Sequence, residues 1–284
     1  MGLRTLLKST GVLAVGAAAV GLAGRLRHER ATAALVADLL ADADRSRRAV
    51  APEEFAGLPD PVRRYLDHAL ADDRSHVRTA RLRQRGEFRL GGAESAWKPF
   101  AATHHVAVRP PGFVWDAAIE VAPLVPVRVV DSYVGGTGGL RATLFGLVAV
   151  ADPAPTPELD EGELVRYLAE AVWLPSALAP GAGVAWDPID DRSARATVDH
   201  RGTTVSAVFH FEDDRIVRVT ADRPRRLPDG RFESTPWTGS FGRYRERNGV
   251  TVPTEASVAW RLPAGDLPYW RARVTGIDHR PPIR

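Results

Sequence analysis

The chain has 284 residues, with 38 Lys+Arg against 35 Asp+Glu, a formal net charge of +3 and a pI near 9.6. The excess is local: residues 1–30 hold Arg4, Lys8, Arg25, Arg27 and Arg30 against Glu29 alone, so the other 33 basic and 34 acidic groups leave the rest of the chain at −1. A near-neutral body excludes a nucleic-acid partner, which needs a basic footprint on the folded domain. The absence of Cys excludes disulfides, thiolate metal sites, thiol nucleophiles and Cys-linked lipid anchors.

Residues 11–24, GVLAVGAAAVGLAG, carry no charge, and basic residues flank them on both sides. A spanning helix wants about 20 apolar residues. Leu6 and Leu7 lengthen the stretch, and Lys8 can snorkel to the interface. The same features fit an export signal, with Gly21 and Ala23 as the small residues before a cleavage site. Either way, residues 1–30 read as a signal-anchor or transmembrane segment that meets the membrane through residues 6–24. The short basic N-tail sets the expected orientation, with the body outside the cytoplasm.

Residues 31–75 read as a helical linker and a packing helix. Leu35, Val36, Leu39, Leu40 and Ala43 stripe a helix over 31–48, which runs on from the membrane segment if that is not cleaved. Asp60 and Pro61 start a second helix, with Val62, Tyr65, Leu66 and Ala69 as its buried stripe. Arg63 and Arg64 take the opposite face. There they are either plain solvated charge or contacts for anionic headgroups.

From residue 76 to 284 the dominant period is two. Ala80, Leu82, Phe88 and Leu90 alternate with Arg81, Arg83, Arg85, Glu87 and Arg89. Phe113, Trp115, Ala117, Ile119 and Val121 form a second apolar face. Val205, Ala207, Phe209 and Phe211 form a third, and 217–221, 256–262 and 270–274 continue the pattern. Turn signals lie between them, as at Pro110-Pro111-Gly112 and Pro228-Asp229-Gly230. The predicted fold is mainly β (α+β). It is a large curved antiparallel sheet, half-barrel-like, packed on a few amphipathic helices and preceded by an N-terminal membrane helix. The main later helix spans 160–173, with Asp160 as cap and Glu163 completing a capping box.

Chemical motifs are few. The Gly135–Gly139 run precedes a strand rather than a helix, so it reads as a hairpin and not a phosphate loop. His104 and His105 point to opposite faces of a strand and cannot share a metal. His210 and Glu212 share a face without supporting spacing, so no metal and no cofactor is expected. Glu163, Arg166 and Glu170 share one face of the 160–173 helix. That face reads first as an exposed ion-pair ladder, and otherwise as a polar cluster at a cavity mouth. Seven Trp stand at 97, 115, 173, 186, 237, 260 and 270. They are core, or the lining of an apolar cavity that the sheet leaves open.

The ordered motifs Leu58-Pro59-x-Pro61-Val62-Arg63-Arg64-Tyr65-Leu66, Trp97-x-Pro99-Phe100, Pro111-Gly112-Phe113-x-Trp115, Glu163-Leu164-x-Arg166-Tyr167-Leu168-x-Glu170, Trp173-x-Pro175, Thr235-Pro236-Trp237 and Tyr244 resemble a widespread bacterial family of unknown function. Its members carry an N-terminal membrane segment, and it supplies no catalytic residues to carry over. More loosely, the architecture is similar to the half-barrel lipoprotein-carrier and envelope lipid-binding proteins. The leading expectation is a membrane-tethered or exported protein that binds a lipid or another apolar ligand. Trp97, Phe100, Phe113, Trp115 and Trp173 would line the cavity, with Glu163, Arg166 and Glu170 at its rim. The alternatives are a hydrolytic or acid/base enzyme using Glu163 and Glu170, and a purely structural envelope module.

Overall fold

The computed structural model describes residues 3–41, 43, 52–70 and 77–279, with residues 3–20 and 52 by their backbone alone. Three helices, α1 (Leu3–Ala41), α2 (Asp60–Ala69) and α3 (Pro157–Glu170), accompany one sheet of 13 strands. In chain order the strands are β1 (Thr79–Arg89), β2 (Trp97–Ala107), β3 (Gly112–Ala122), β4 (Val125–Val134), β5 (Thr137–Leu144), β6 (Val148–Ala151), β7 (Val184–Asp190), β8 (Ser193–His200), β9 (Thr203–Glu212), β10 (Arg215–Arg226), β11 (Phe232–Arg247), β12 (Val250–Leu262) and β13 (Gly265–Asp278).

The sheet is two antiparallel meanders, β1–β6 and β7–β13. They are joined in the middle by β1 against β13, from Arg81↔Asp278 to Phe88↔Trp270. The strands nearest the two ends of the body therefore pair with each other, and β6 and β7 are the free edges. A sheet this wide buries one face of each strand only by curling. It curls round α3, which packs on β4 and β5 of one half and on β9 and β10 of the other. The result is a mainly β half-barrel whose chain crosses between its two free edges through the helix that fills it.

The alternation sets which face turns inward. Leu82 of β1, Phe113, Trp115, Ala117 and Ile119 of β3, and Phe209 of β9 are buried in one concave core. The same core holds Val62, Tyr65, Leu66 and Ala69 of α2 and Leu164 and Leu168 of α3. Arg63 and Arg64 lie exposed on the other side of α2, where they pair with Asp60 at 3.1 Å and Asp214 at 3.0 Å. Trp173 sits 1% exposed in a 3-10 turn just after α3, with its indole N–H on the Pro253 carbonyl at 3.0 Å.

Three local features differ from the sequence reading. α3 begins earlier than residue 160: Thr156 is its cap, its Oγ1 accepting from the Leu159 N–H at 3.2 Å. Asp160 instead accepts from the Gly138 N–H at 2.6 Å, which pins the helix to β5. A Cβ at Gly138 would come within 2.6 Å of the Leu159 carbonyl oxygen, so this approach needs glycine. The Gly135-Gly136 pair forms the β4–β5 turn, both at positive φ, in keeping with the hairpin expected there.

The third difference is α1. It runs without a break through residue 30 and lies on the convex face of the sheet. Leu39 and Ala43 cover Ala107, Val114 and Val130 there, with Leu35 and Val36 partly buried beside them. His28 Nε2 lies 2.7 Å from Asp116 Oδ1. β3 and β4 are thus covered on both faces, which a period-two reading of those strands does not anticipate. Residues 44–48 of the expected helix, and most side chains of segment 6–24, lie outside the described residues. Among the residues described with their side chains, no helix is long and apolar enough to cross a membrane.

Candidate functional site: a half-lined cavity under α3

Between α3 and the strands of both meanders lies a cavity of about 200 Å³. One wall is aromatic and the other charged. Phe88, Trp237, Trp260, Tyr269 and Trp270 supply the aromatic wall from β1, β11, β12 and β13. Tyr269 organises it. Trp260 stacks on its ring at 5.7 Å and 19°, Phe88 meets it edge-on at 6.0 Å, and the Trp237 N–H donates to its hydroxyl at 2.9 Å.

The charged wall holds Asp131 of β4, Glu163, Arg166 and Glu170 of α3, and Arg223 of β10. Arg166 donates to Asp131 Oδ2 at 2.5 Å and to Glu170 Oε1 at 2.9 Å, and its guanidinium lies 5.0 Å from the rings of both Phe113 and Trp115. Arg223 donates to the Gly162 carbonyl at 2.9 Å, to Glu163 Oε1 at 3.4 Å and to the Tyr269 hydroxyl at 3.5 Å. All five side chains are at most 17% exposed, so solvent screens them little. The expected exposed ladder on α3 is in fact interior, because the sheet curls far enough to cover both sides of that helix.

Electrostatics follow from that burial. Desolvation lifts the Glu163 carboxyl to about 7, against the pull of Arg223. Burial raises Glu170 and Asp131 too, with Arg166 opposing it in both. Burial works against the Arg166 charge, but Glu170, Asp131 and Glu163 outweigh it and hold the guanidinium firmly charged. His104, 1% exposed on β2 with Nδ1 3.5 Å from Glu170 Oε2, is kept neutral by its burial and by the Arg166 charge.

The hydrogen-bond ledger is lopsided. The two guanidiniums on this wall have acceptors, whereas Glu163 Oε2, Glu170 Oε2 and Asp131 Oδ1 are buried without a hydrogen-bond partner. A buried acceptor left open costs roughly 1–3 kcal/mol. The cluster of three carboxyls and two guanidiniums beside the cavity therefore has acceptor capacity left over. Among the described residues, no group of three or more His, Asp or Glu is arranged to hold a metal ion.

Of the residues singled out from the sequence, Trp115, Glu163, Arg166 and Glu170 line this cavity. Phe100, Phe113 and Trp173 are buried in the core around it. Trp97 stands on the opposite face of the sheet, between the guanidiniums of Arg89 and Arg271 at 4.5 and 4.6 Å. Asp131 and Arg223 stand outside that set. Each is a charged residue in the inward phase of its strand: Asp131 follows Val127 and Val129, and Arg223 follows Val219 and Ala221. Gln84 and His104 break the inward phase of β1 and β2 in the same way. The Gln84 Oε1 accepts from the Trp115 N–H at 2.8 Å.

Residues 48–272 match a family of unknown function, DUF6544. No curated protein matches the chain. A solved LolA superfamily protein from Nitrosomonas europaea is 11% identical, covers 78% of this chain and 93% of its own, and aligns with a TM-score of 0.41. A beta-barrel-like protein of a second domain of unknown function, DUF1849, from Brucella abortus is 9% identical over 71% of this chain and 97% of its own, with a TM-score of 0.19.

Proposed function

The chain belongs to the family of unknown function DUF6544, and we propose that it binds an amphipathic molecule in the cavity under α3. The apolar part would lie on Trp237, Trp260 and Trp270. A hydrogen-bond-donating head, best a cationic ammonium, would meet Glu163, Glu170 and Asp131. The observation that carries this reading is the lopsided ledger: three carboxyls that line a cavity with an aromatic wall each keep one buried oxygen without a hydrogen-bond partner. With all five charged groups ionised the cluster is net −1, so one positive charge completes it. The cavity is smaller than the roughly 300–1,000 Å³ of drug-sized sites. It suits a head and the first part of a chain or ring, with the remainder at the mouth.

Trp260, Trp237, Trp270 and Trp115 are the reporters. Titrating the full chain with dodecylammonium, dodecanol or dodecanoate, each below its micelle concentration, should change the Trp emission most strongly with the ammonium and least with the carboxylate. Equal responses to all three remove the head-group assignment. No response to any, with a clean apo mass in native mass spectrometry, removes the binding reading itself.

Membrane attachment through residues 6–24, with the body outside the cytoplasm, belongs to the same proposal. It is supported by the uncharged run 11–24 and its basic flanks. An alkaline phosphatase fused to the C-terminus is then active; an inactive one beside an active cytoplasmic reporter reverses the orientation.

A further inference from the structure

α1 is laid along the convex face in one direction. Leu39 Cδ1 lies 2.8 Å from where a Cβ on Gly112 would stand, at the start of β3. His28 meets Asp116 in the middle of that strand. A Cβ on Gly24 would run into the Phe145 carbonyl, in the turn between β5 and β6. The helix therefore passes the end of the body at that turn, and its earlier residues continue beyond it. Residues 3–23, at about 1.5 Å each, span roughly 30 Å, which is the thickness of a bilayer's hydrocarbon core.

The same end of the sheet carries most of the large apolar side chains the body leaves in water. Leu124, in the β3–β4 turn, is 94% exposed, and Phe145 is 40% exposed. The two turns are neighbours, since the Phe145 N–H donates to the Pro126 carbonyl at 3.4 Å. Val148 follows Phe145, Leu90 stands in the β1–β2 turn at the same end, and Leu22 and Leu26 are exposed on α1 beside them. Leu124 and Phe145 also take positive φ, +62° and +54°. That backbone favours Gly or Asn and costs a branched or bulky residue more. The other non-glycine residues at positive φ, among the described residues, are Arg201, Asp213, Asp214, Arg243 and Asn248, all polar. Among the described residues, it is at this end that apolar side chains stand against both solvent and backbone preference.

We propose that this end of the body rests on a lipid bilayer, with Leu124 and Phe145 inserted among the headgroups beside the point where α1 enters. This inference rests on the membrane-attachment reading and adds a contact surface and an orientation to it. A bilayer is the fitting occupant because the surface is continuous with the uncharged run 11–24 of α1. Arg25, Arg27 and Arg30 lie on the same helix just inside that level, where anionic headgroups stand. The strands β2–β5 would then rise from the membrane.

The chain has no Cys, so single probes can be placed cleanly. Leu124→Cys and Phe145→Cys, and Thr137→Cys at the far end of β5, are each labelled with an environment-sensitive fluorophore in the full chain. Each is mixed with vesicles of phosphatidylcholine and phosphatidylglycerol at 3:1. The expected result is co-flotation, a several-fold emission gain at 124 and 145 that lipid-borne quenchers remove, and no change at 137. Co-flotation with no gain at 124 or 145 overturns the contact and leaves the attachment standing. No flotation overturns both. A gain that needs no vesicles and grows with protein concentration assigns the surface to a second copy of the chain and overturns the proposal.

Discussion

Arg166→Met lowers the unfolding free energy by about 3–5 kcal/mol, the usual cost of leaving a buried charge without its partner. Methionine fills a similar volume, so the loss is electrostatic rather than a cavity effect. The guanidinium holds Asp131 and Glu170 at once and lies against Phe113 and Trp115. Its removal strands two carboxylates that are 16% and 17% exposed. Urea unfolding measures the loss, and a double-mutant cycle with Asp131→Asn locates it. The double variant should lose clearly less than the sum of the singles, because the amide at position 131 no longer carries the charge that Arg166 neutralised. The Arg166→Met penalty should also shrink in acid, where stranded carboxyls can protonate. A loss under about 1 kcal/mol would mean that the network is hydrated like surface pairs, and the case for a functional interior charge cluster would fall with it.

The strand phases were legible because a half-buried sheet writes its inner face into every second residue. Leu82 and Phe113 with Trp115, Ala117 and Ile119 all turn inward as the alternation requires. The stripe of α2 was legible for the equivalent reason at helical spacing. What alternation cannot carry is long-range pairing. Nothing local to 81–88 marks residues 270–278 as its partner, and without that closure the sheet has no concave side for α3. The Glu163, Arg166 and Glu170 spacing correctly put the three groups on one helix face. Whether that face met water depended on how far strands from both ends of the chain curl over it. A usable signal was present all the same. Gln84, His104, Asp131 and Arg223 each occupy the inward phase of a strand, where a polar residue is costly unless it is satisfied or used. Asp131 and Arg223 line the cavity, His104 lies 3.5 Å from Glu170, and Gln84 bonds Trp115. Covering of β3 and β4 by α1 left its own trace. Val114 and Val130 are apolar in the outward phase, which a one-sided sheet does not need.

Glu163→Gln should remove a pH dependence of stability that the native protein carries. The carboxyl has an ordinary value of 4.5 in the unfolded chain and about 7 in the folded one, raised mainly by burial. Between those values the folded state holds a proton that the unfolded state has lost. The stability this contributes is fully present below 4.5 and is lost as pH rises through 7, a change on the order of 3 kcal/mol. The amide of the variant cannot titrate. The variant should therefore gain on the native chain by that order between pH 5 and pH 8 in paired urea melts, while the contributions of Asp131 and Glu170 largely cancel. Parallel curves across that range would mean that Glu163 is hydrated in the native state. Binding should run the opposite way. An ammonium head needs the ionised carboxylate, so dodecylammonium affinity rises through pH 7 with release of a proton, and Glu163→Gln flattens that rise. A catalytic carboxyl would behave differently, since the same substitution would abolish turnover and leave the affinity in place. The groups facing Glu163 are Arg223, Arg166, Asp131 and Glu170; those four cancel, so an ionised Glu163 leaves the cluster at −1, and only a further cation balances that without a proton. On the proposed reading, the ionisation that weakens the empty fold is the one that readies the cavity for an ammonium ligand, which would give a physical reason to keep a carboxyl where glutamine would be more stable.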